Sequence, residues 1–172
     1  MATKIQTKKR ASKMSKRTLD LRGQLWPELD ESLLWDRTKA KGFATIPRTM
    51  PFILDIMDDL AGKGTPVSKA YLGLWCRVFD EGMLELKDYQ DLASESGFTG
   101  QRSVHTWKQR MSILVKLGFI RAESGQKGEY DYILLLNPYH VIKEHYESGN
   151  VQKAKYIAFY SRAQAVGAVD LG

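Results

Sequence analysis

The sequence predicts an α+β chain, mainly helical, with one small sheet. Three observations carry that reading. Apolar residues recur every third or fourth position in several segments closed by glycines. Met83-Leu84-Glu85-Leu86 is too short for a helix and alternates as a short strand. Two strand-like runs, Phe119–Glu123 and Tyr130–Leu136, flank the polar segment Ser124-Gly125-Gln126-Lys127-Gly128-Glu129, which reads as a hairpin.

With 172 residues, 43% of them hydrophobic, the chain can bury a real core without disulfides or metals. Its one cysteine, Cys76, excludes an intramolecular disulfide and a Cys-rich zinc module. No run approaches the about 20 apolar residues of a membrane span. The basic N-terminus lacks the apolar block of a secretory leader. The expected setting is soluble and cytoplasmic, with no membrane partner and no cofactor.

The net charge of +6 is unevenly spread. Residues 1–22 hold Lys4, Lys8, Lys9, Arg10, Lys13, Lys16, Arg17 and Arg22 against Asp20 alone, so the remainder is nearly neutral. Few large apolar residues stand in this arm, which is expected to be disordered when free and to seek polyanions. Acids then dominate between Val67 and Gly97, and bases between Gln101 and Glu129.

In chain order, Asp30 can cap a short helix bearing Leu33, Leu34 and Trp35, while Pro27 opposes a longer one. Gly42–Pro47 reads as extended. Thr49 can cap a helix with Ile53, Leu54, Met57, Leu60 and Ala61 inward, stopped by Gly62 and Gly64. Thr65 as cap and Pro66 in the first turn predict a helix through Tyr71, Leu72, Leu74, Trp75, Val78 and Phe79, ended by Gly82. Asp88 or Lys87 opens a helix burying Tyr89, Leu92 and Ala93, closed by Gly97. After the turn Phe98-Thr99-Gly100, with Thr99 as cap, residues 101–117 place Val104, Trp107, Met111 and Leu114 on one helical stripe up to Gly118. Asn137-Pro138 starts a helix with Val141, Ile142 and Tyr146 inward. Asn150 caps a last one with Ala154, Ile157, Ala158 and Ala165 on one side.

From Thr65 the order is helix, short strand, helix, tight turn, helix, strand, hairpin, strand. This order, with Leu92-Ala93, Gly97, the helix bearing Val104 and Trp107, and Leu117-Gly118-Phe119-Ile120 leading into the hairpin, resembles the winged helix-turn-helix family. The run from Gly42 to Pro138 is similar to small bacterial winged-helix regulators and replication or maintenance factors of plasmids and mobile elements. The resemblance implies a winged core at 65–137, preceded by the basic arm (1–22) and an extension packing on the core (23–64), and followed by C-terminal helices (138–172). It also implies double-stranded DNA as partner and no enzymatic activity.

A helix fits the major groove, where each base pair shows a distinct pattern. The outward set on helix 101–117 contains no acid. Gln101, Arg102, His105, Thr106 and Gln109 are the base-edge candidates, since the N-terminal turns face the bases in this motif. Ser103, Lys108, Arg110, Lys116, the hairpin residues Gln126 and Lys127, and Lys8, Lys9 and Arg10 of the arm are the phosphate candidates. Arg48, near a helix start, is a further one. Trp107, Met111, Trp75 and Phe79 read as core, and Cys76 as a buried inert thiol.

Other signals carry little. His140 and His145 stand five apart, off a shared helix face, with no completing ligand. Lys63-Gly64-Thr65 lacks the first glycine of a phosphate loop, since Met57 stands there. Asp80 and Glu85-Leu86-Lys87 match a metal-nuclease set only loosely. Tyr139, Tyr146, Tyr156, Phe159 and Tyr160 on the C-terminal helices either cover the core or form a second surface, which would join two copies into a homodimer. The alternative to DNA binding is a protein-interaction adaptor in a larger bacterial assembly.

Overall fold

In the computed structural model the described residues are 4–168 and 170, with side chains from residue 15 onward. They form seven α-helices and a three-stranded antiparallel sheet, a mainly helical α+β chain. The chain divides into two units, residues 1–42 and 43–172.

The first unit holds α1 (Lys4–Leu25) and a 3₁₀ turn at Glu31–Leu33. Composition predicted a disordered arm here. The helix follows instead from a run of Lys, Arg, Gln, Ala, Met and Leu without Gly or Pro until Gly23. Asp30 caps the 3₁₀ turn as expected, accepting from the Ser32 N–H at 2.9 Å. Asp36 accepts from the Thr38 N–H at 2.8 Å, and Arg22 pairs with Glu31. No residue described with side chain in this unit is buried.

The second unit contains every buried hydrophobic residue of the described chain. Its α2 (Met50–Ala61) carries Met50, Ile53, Ile56 and Met57 into the centre of the core. Thr49 precedes α2 but caps nothing with its side chain. Its buried hydroxyl meets the Tyr139 hydroxyl at 2.5 Å.

The next helix, α3, runs Ser68–Trp75, later and shorter than the sequence predicts. Thr65 cannot cap it, because its hydroxyl donates back to the Ala61 and Gly62 carbonyls. Asp58 of α2 does so from outside, accepting from the Val67 and Ser68 N–H groups at 2.7 and 2.8 Å. Beyond Trp75 the chain must turn toward the sheet, and Gly82 N–H closes that turn on the Phe79 carbonyl at 3.0 Å. Helical spacing therefore stops governing residues 76–82. Cys76 is exposed, and so is Phe79, at 82%, both contrary to their expected burial.

Strand β1 (Met83–Glu85) leads to α4 (Tyr89–Glu95), which Asp88 caps through the Gln90 N–H at 2.7 Å. Gly97, at φ +79°, turns the chain toward α5 (Ser103–Leu117). This helix buries Trp107, Met111 and Leu114 and stops at Gly118 in the left-handed region. Strands β2 (Ile120–Glu123) and β3 (Tyr132–Leu135) complete a sheet of order β1-β3-β2, with Leu84 opposite Ile133 and Ala122 opposite the same Ile133.

Asn137 caps α6 (Pro138–Glu147) as predicted, whereas α7 (Lys153–Val166) starts after Gln152, not at Asn150. The predicted inward set of α7 is reversed: Ala154, Ile157, Ala158 and Ala165 are exposed, and Phe159 and Ala163 are buried. Aromatic size decides the face. Phe159 stacks on Tyr139 with centroids 5.4 Å apart, and Tyr156 stacks on Tyr146 at 3.7 Å. Lys155 then reaches Asp55 and Asp59 of α2 at 2.8 and 2.5 Å. The C-terminal aromatics thus largely cover the core.

Candidate nucleic-acid interface

The candidate surface is built by α4, α5 and the β2–β3 hairpin. The inner stripe of α5 packs on Leu92 and Ala93 of α4, and Trp107 lies between Tyr89 and Tyr130 with ring centroids at 5.4 and 5.8 Å. This packing turns the opposite face of α5 to solvent, and no carboxylate stands between Ser103 and Leu117.

The hairpin is held beside that face by a network the sequence did not announce. Tyr89 donates its hydroxyl to Asp131 at 2.5 Å, and the other Asp131 oxygen accepts the Lys127 N–H at 2.8 Å. Two glycines are required for this closure. A Cβ at Gly125 would lie 2.7 Å from that of Asp131, and one at Gly128 would lie 2.8 Å from the Tyr89 hydroxyl. Burial, then the bond to Asp131, pushes the Tyr89 hydroxyl up to about 12. The Tyr89 bond and the Lys127 N–H hold the Asp131 carboxyl below its usual value. A Gly-x-x-Gly hairpin followed by Asp131 was the available signal, but its partner Tyr89 lies 42 residues away.

The predicted base-edge residues are mostly presented. Gln101 and Arg102 are exposed in the turn that enters α5, so they precede the helix instead of starting it. His105 and Gln109 are exposed and lie one turn apart, with side-chain nitrogens at 3.3 Å. Thr106 is half-buried, displaced toward the packed side.

The predicted phosphate residues divide. Lys116, Gln126 and Lys127 are exposed, although the Lys127 ammonium donates to the Lys87 carbonyl at 2.7 Å. Ser103 is buried at 3% exposure and shares hydrogen bonds with Gln90, near 3.1 Å, so the assignment of a backbone contact to Ser103 is corrected. Its position as first residue of α5, against α4, turns it inward. Lys108 is half-buried, lies over the Tyr89 ring and is 3.8 Å from Glu129, so an acid already attends it. Arg110 is half-buried over the Phe98 ring and donates to the Gly64 carbonyl at 3.4 Å, away from the open face. The side chains of Lys8, Lys9 and Arg10 lie outside the described residues. Arg48 is exposed just before α2.

His140 is exposed, while His145 donates to the Leu117 carbonyl at 2.8 Å and stacks on Phe119. Among the described residues no group of acids, histidines or cysteine is arranged to hold a metal ion, and no helix is long and apolar enough to cross a membrane.

The chain is thus an α+β protein whose most distinctive feature is a solvent-facing, acid-free helix flanked by a braced hairpin. No family model, curated protein or solved structure matches it.

Proposed function

We propose that the chain is a non-enzymatic, sequence-specific double-stranded DNA-binding protein of the winged helix-turn-helix type. In this reading α5 enters the major groove and the 124–129 hairpin lies on the neighbouring backbone. The biological setting implied by the resemblance is a small bacterial regulator, or a replication or maintenance factor of a plasmid or mobile element, acting in the cytoplasm at the nucleoid.

One observation carries the proposal. The outer face of α5 and its entry turn present Arg102, His105, Gln109 and Lys116 to solvent without a carboxylate on the helix, while Asp131 and Tyr89 brace a hairpin beside it. Amides, an imidazole and a guanidinium at the N-terminal end suit base edges, and Lys116 farther along suits a phosphate. The α5 N-cap makes no side-chain hydrogen bond, and the Ser103 N–H is taken by the Gly100 carbonyl at 3.2 Å, so an anion there would meet the Val104 and His105 N–H groups.

Fluorescence anisotropy on duplex DNA across a salt series tests this. The exposed cations Arg102 and Lys116 of the α5 face and Lys127 of the hairpin set a slope of log affinity against log salt of about −2.7 for the second unit. The basic N-terminal helix steepens it in the full chain. Arg102→Ala with Gln109→Ala should cost about 1–3 kcal/mol per lost bidentate contact and relax sequence preference. Salt-independent or undetectable binding would reject the proposal. The adaptor reading draws support from Leu25, Trp26 and Leu33, which are 58%, 60% and 78% exposed in the first unit. It would take over in that case.

A further inference from the structure

We propose that a cleft at the end of α3, lined by Phe43, Trp75 and Phe79 with Asp80, binds an organic cation with an alkylated ammonium head. The cleft measures about 360 Å³ and lies within the second unit. Three of its lining residues are aromatic, and the faces of such rings carry the negative lobe of a quadrupole that attracts cations. Thr45 and Cys76 also line it.

One ring and one turn of the cleft are held by hydrogen bonds to the backbone. The Trp75 indole N–H donates to the Thr45 carbonyl at 2.9 Å, which sets the plane of that ring. The Phe79 turn is closed by Gly82 N–H at 3.0 Å, and the Leu135 N–H donates to the Gly82 carbonyl at 2.9 Å, tying the turn to the sheet. Phe79 therefore stands 82% exposed on an ordered rim, without contributing to the core.

The electrostatics favour a positive guest. Asp80 forms no ion pair among the described residues. The nearby base Arg77 is committed to Glu95 through two hydrogen bonds, at 2.9 and 2.5 Å. Glu81 follows Asp80, and acids outnumber bases from Val67 to Gly97. The exposed Asp80 carboxylate would attract a cation at the rim of the cleft and repel a phosphate. A cation with an apolar hull answers both features. The same head group can be free, as in choline, or carried on a trimethylated lysine of a protein.

Isothermal calorimetry and proton–nitrogen NMR of the full chain test this with choline, a trimethyl-lysine peptide and the neutral choline isostere 3,3-dimethylbutan-1-ol. The expected result is choline binding with a shift of the Trp75 indole resonance, assigned with Trp75→Phe, and no binding of the alcohol. Asp80→Asn and Phe79→Ala should each weaken binding by about tenfold. Both residues are exposed, so both variants should fold, and duplex DNA affinity should be unchanged. Tighter binding of the peptide than of choline would assign the head group to a protein, and the reverse to a small molecule. Equal binding of the alcohol, or no shift with either cation at tens of millimolar, would overturn the proposal whatever the outcome for DNA.

Discussion

The two units of this chain are ordered by different means. In residues 1–42 every hydrogen bond and ion pair described above joins residues at most nine positions apart: Asp30 to Ser32, Asp36 to Thr38, Arg22 to Glu31. Leu25, Trp26 and Leu33 remain exposed there. In residues 43–172 the deciding contacts span distance: Asp58 caps the start of α3, Tyr89 braces Asp131, Thr49 meets Tyr139. Local caps can set a backbone path, but contacts between distant segments bury most of the apolar surface and make unfolding cooperative.

Substitutions should separate the two regimes. Trp107→Ala empties the site of the largest fully buried side chain and should cost about 3–5 kcal/mol in urea unfolding. Trp26→Ala, equally large but solvated, should stay within about 0.5 kcal/mol. Equal costs would show that the first unit hides a core of its own.

Gly125→Ala sharpens the comparison at the hairpin. The added methyl meets Asp131, so about 1–3 kcal/mol should be lost, together with duplex affinity. Gly42→Ala, at φ +70° with nothing within 4 Å, strains only its own backbone, at about 1 kcal/mol, and should leave DNA binding alone.

The brace also has a pH signature. The Tyr89 hydroxyl is held above its ordinary 10.0, to about 12, so the folded state binds that proton more tightly than the unfolded state. The contribution is complete below pH 10 and disappears as pH rises through 12. Asp131 is held below its ordinary 3.8, so its contribution is present above that value and falls away as pH drops through the folded value. Tyr89→Phe should cost about 1 kcal/mol at neutral pH and flatten the alkaline loss seen by chemical denaturation. An identical alkaline profile in the variant would place that loss on other tyrosines.

The smallest effect is expected from removing residues 1–42. No described buried hydrophobic residue is lost, so the melting temperature of residues 43–172 should match that of the full chain. A large drop would contradict the division.

The parts of this molecule legible in the sequence were those governed by neighbours. Asp30, Asp88 and Asn137 cap the elements they precede, and the strands at 83–85, 120–123 and 132–135 follow alternation and the intervening glycines. Neighbour rules fail where a distant residue intervenes. Asp58 displaced Thr65 as cap, Gln90 drew Ser103 inward, and the aromatic stack on α6 rotated α7 away from its alanine face. At the candidate site, the acid-free outer face was readable from α5 alone. The burdens on Lys108 and Arg110 depended on Glu129 and Gly64, which helical spacing cannot reveal.

The central claim is that α5 reads sequence while the first unit adds only affinity. Selection of bound DNA fragments at physiological salt tests it with the full chain, residues 43–172, and full-length Arg102→Ala/Gln109→Ala. The account predicts one shared motif for the first two, more weakly held by the shorter chain, and loss of that motif in the variant. A motif that survives in the variant but vanishes with residues 1–42 would contradict it.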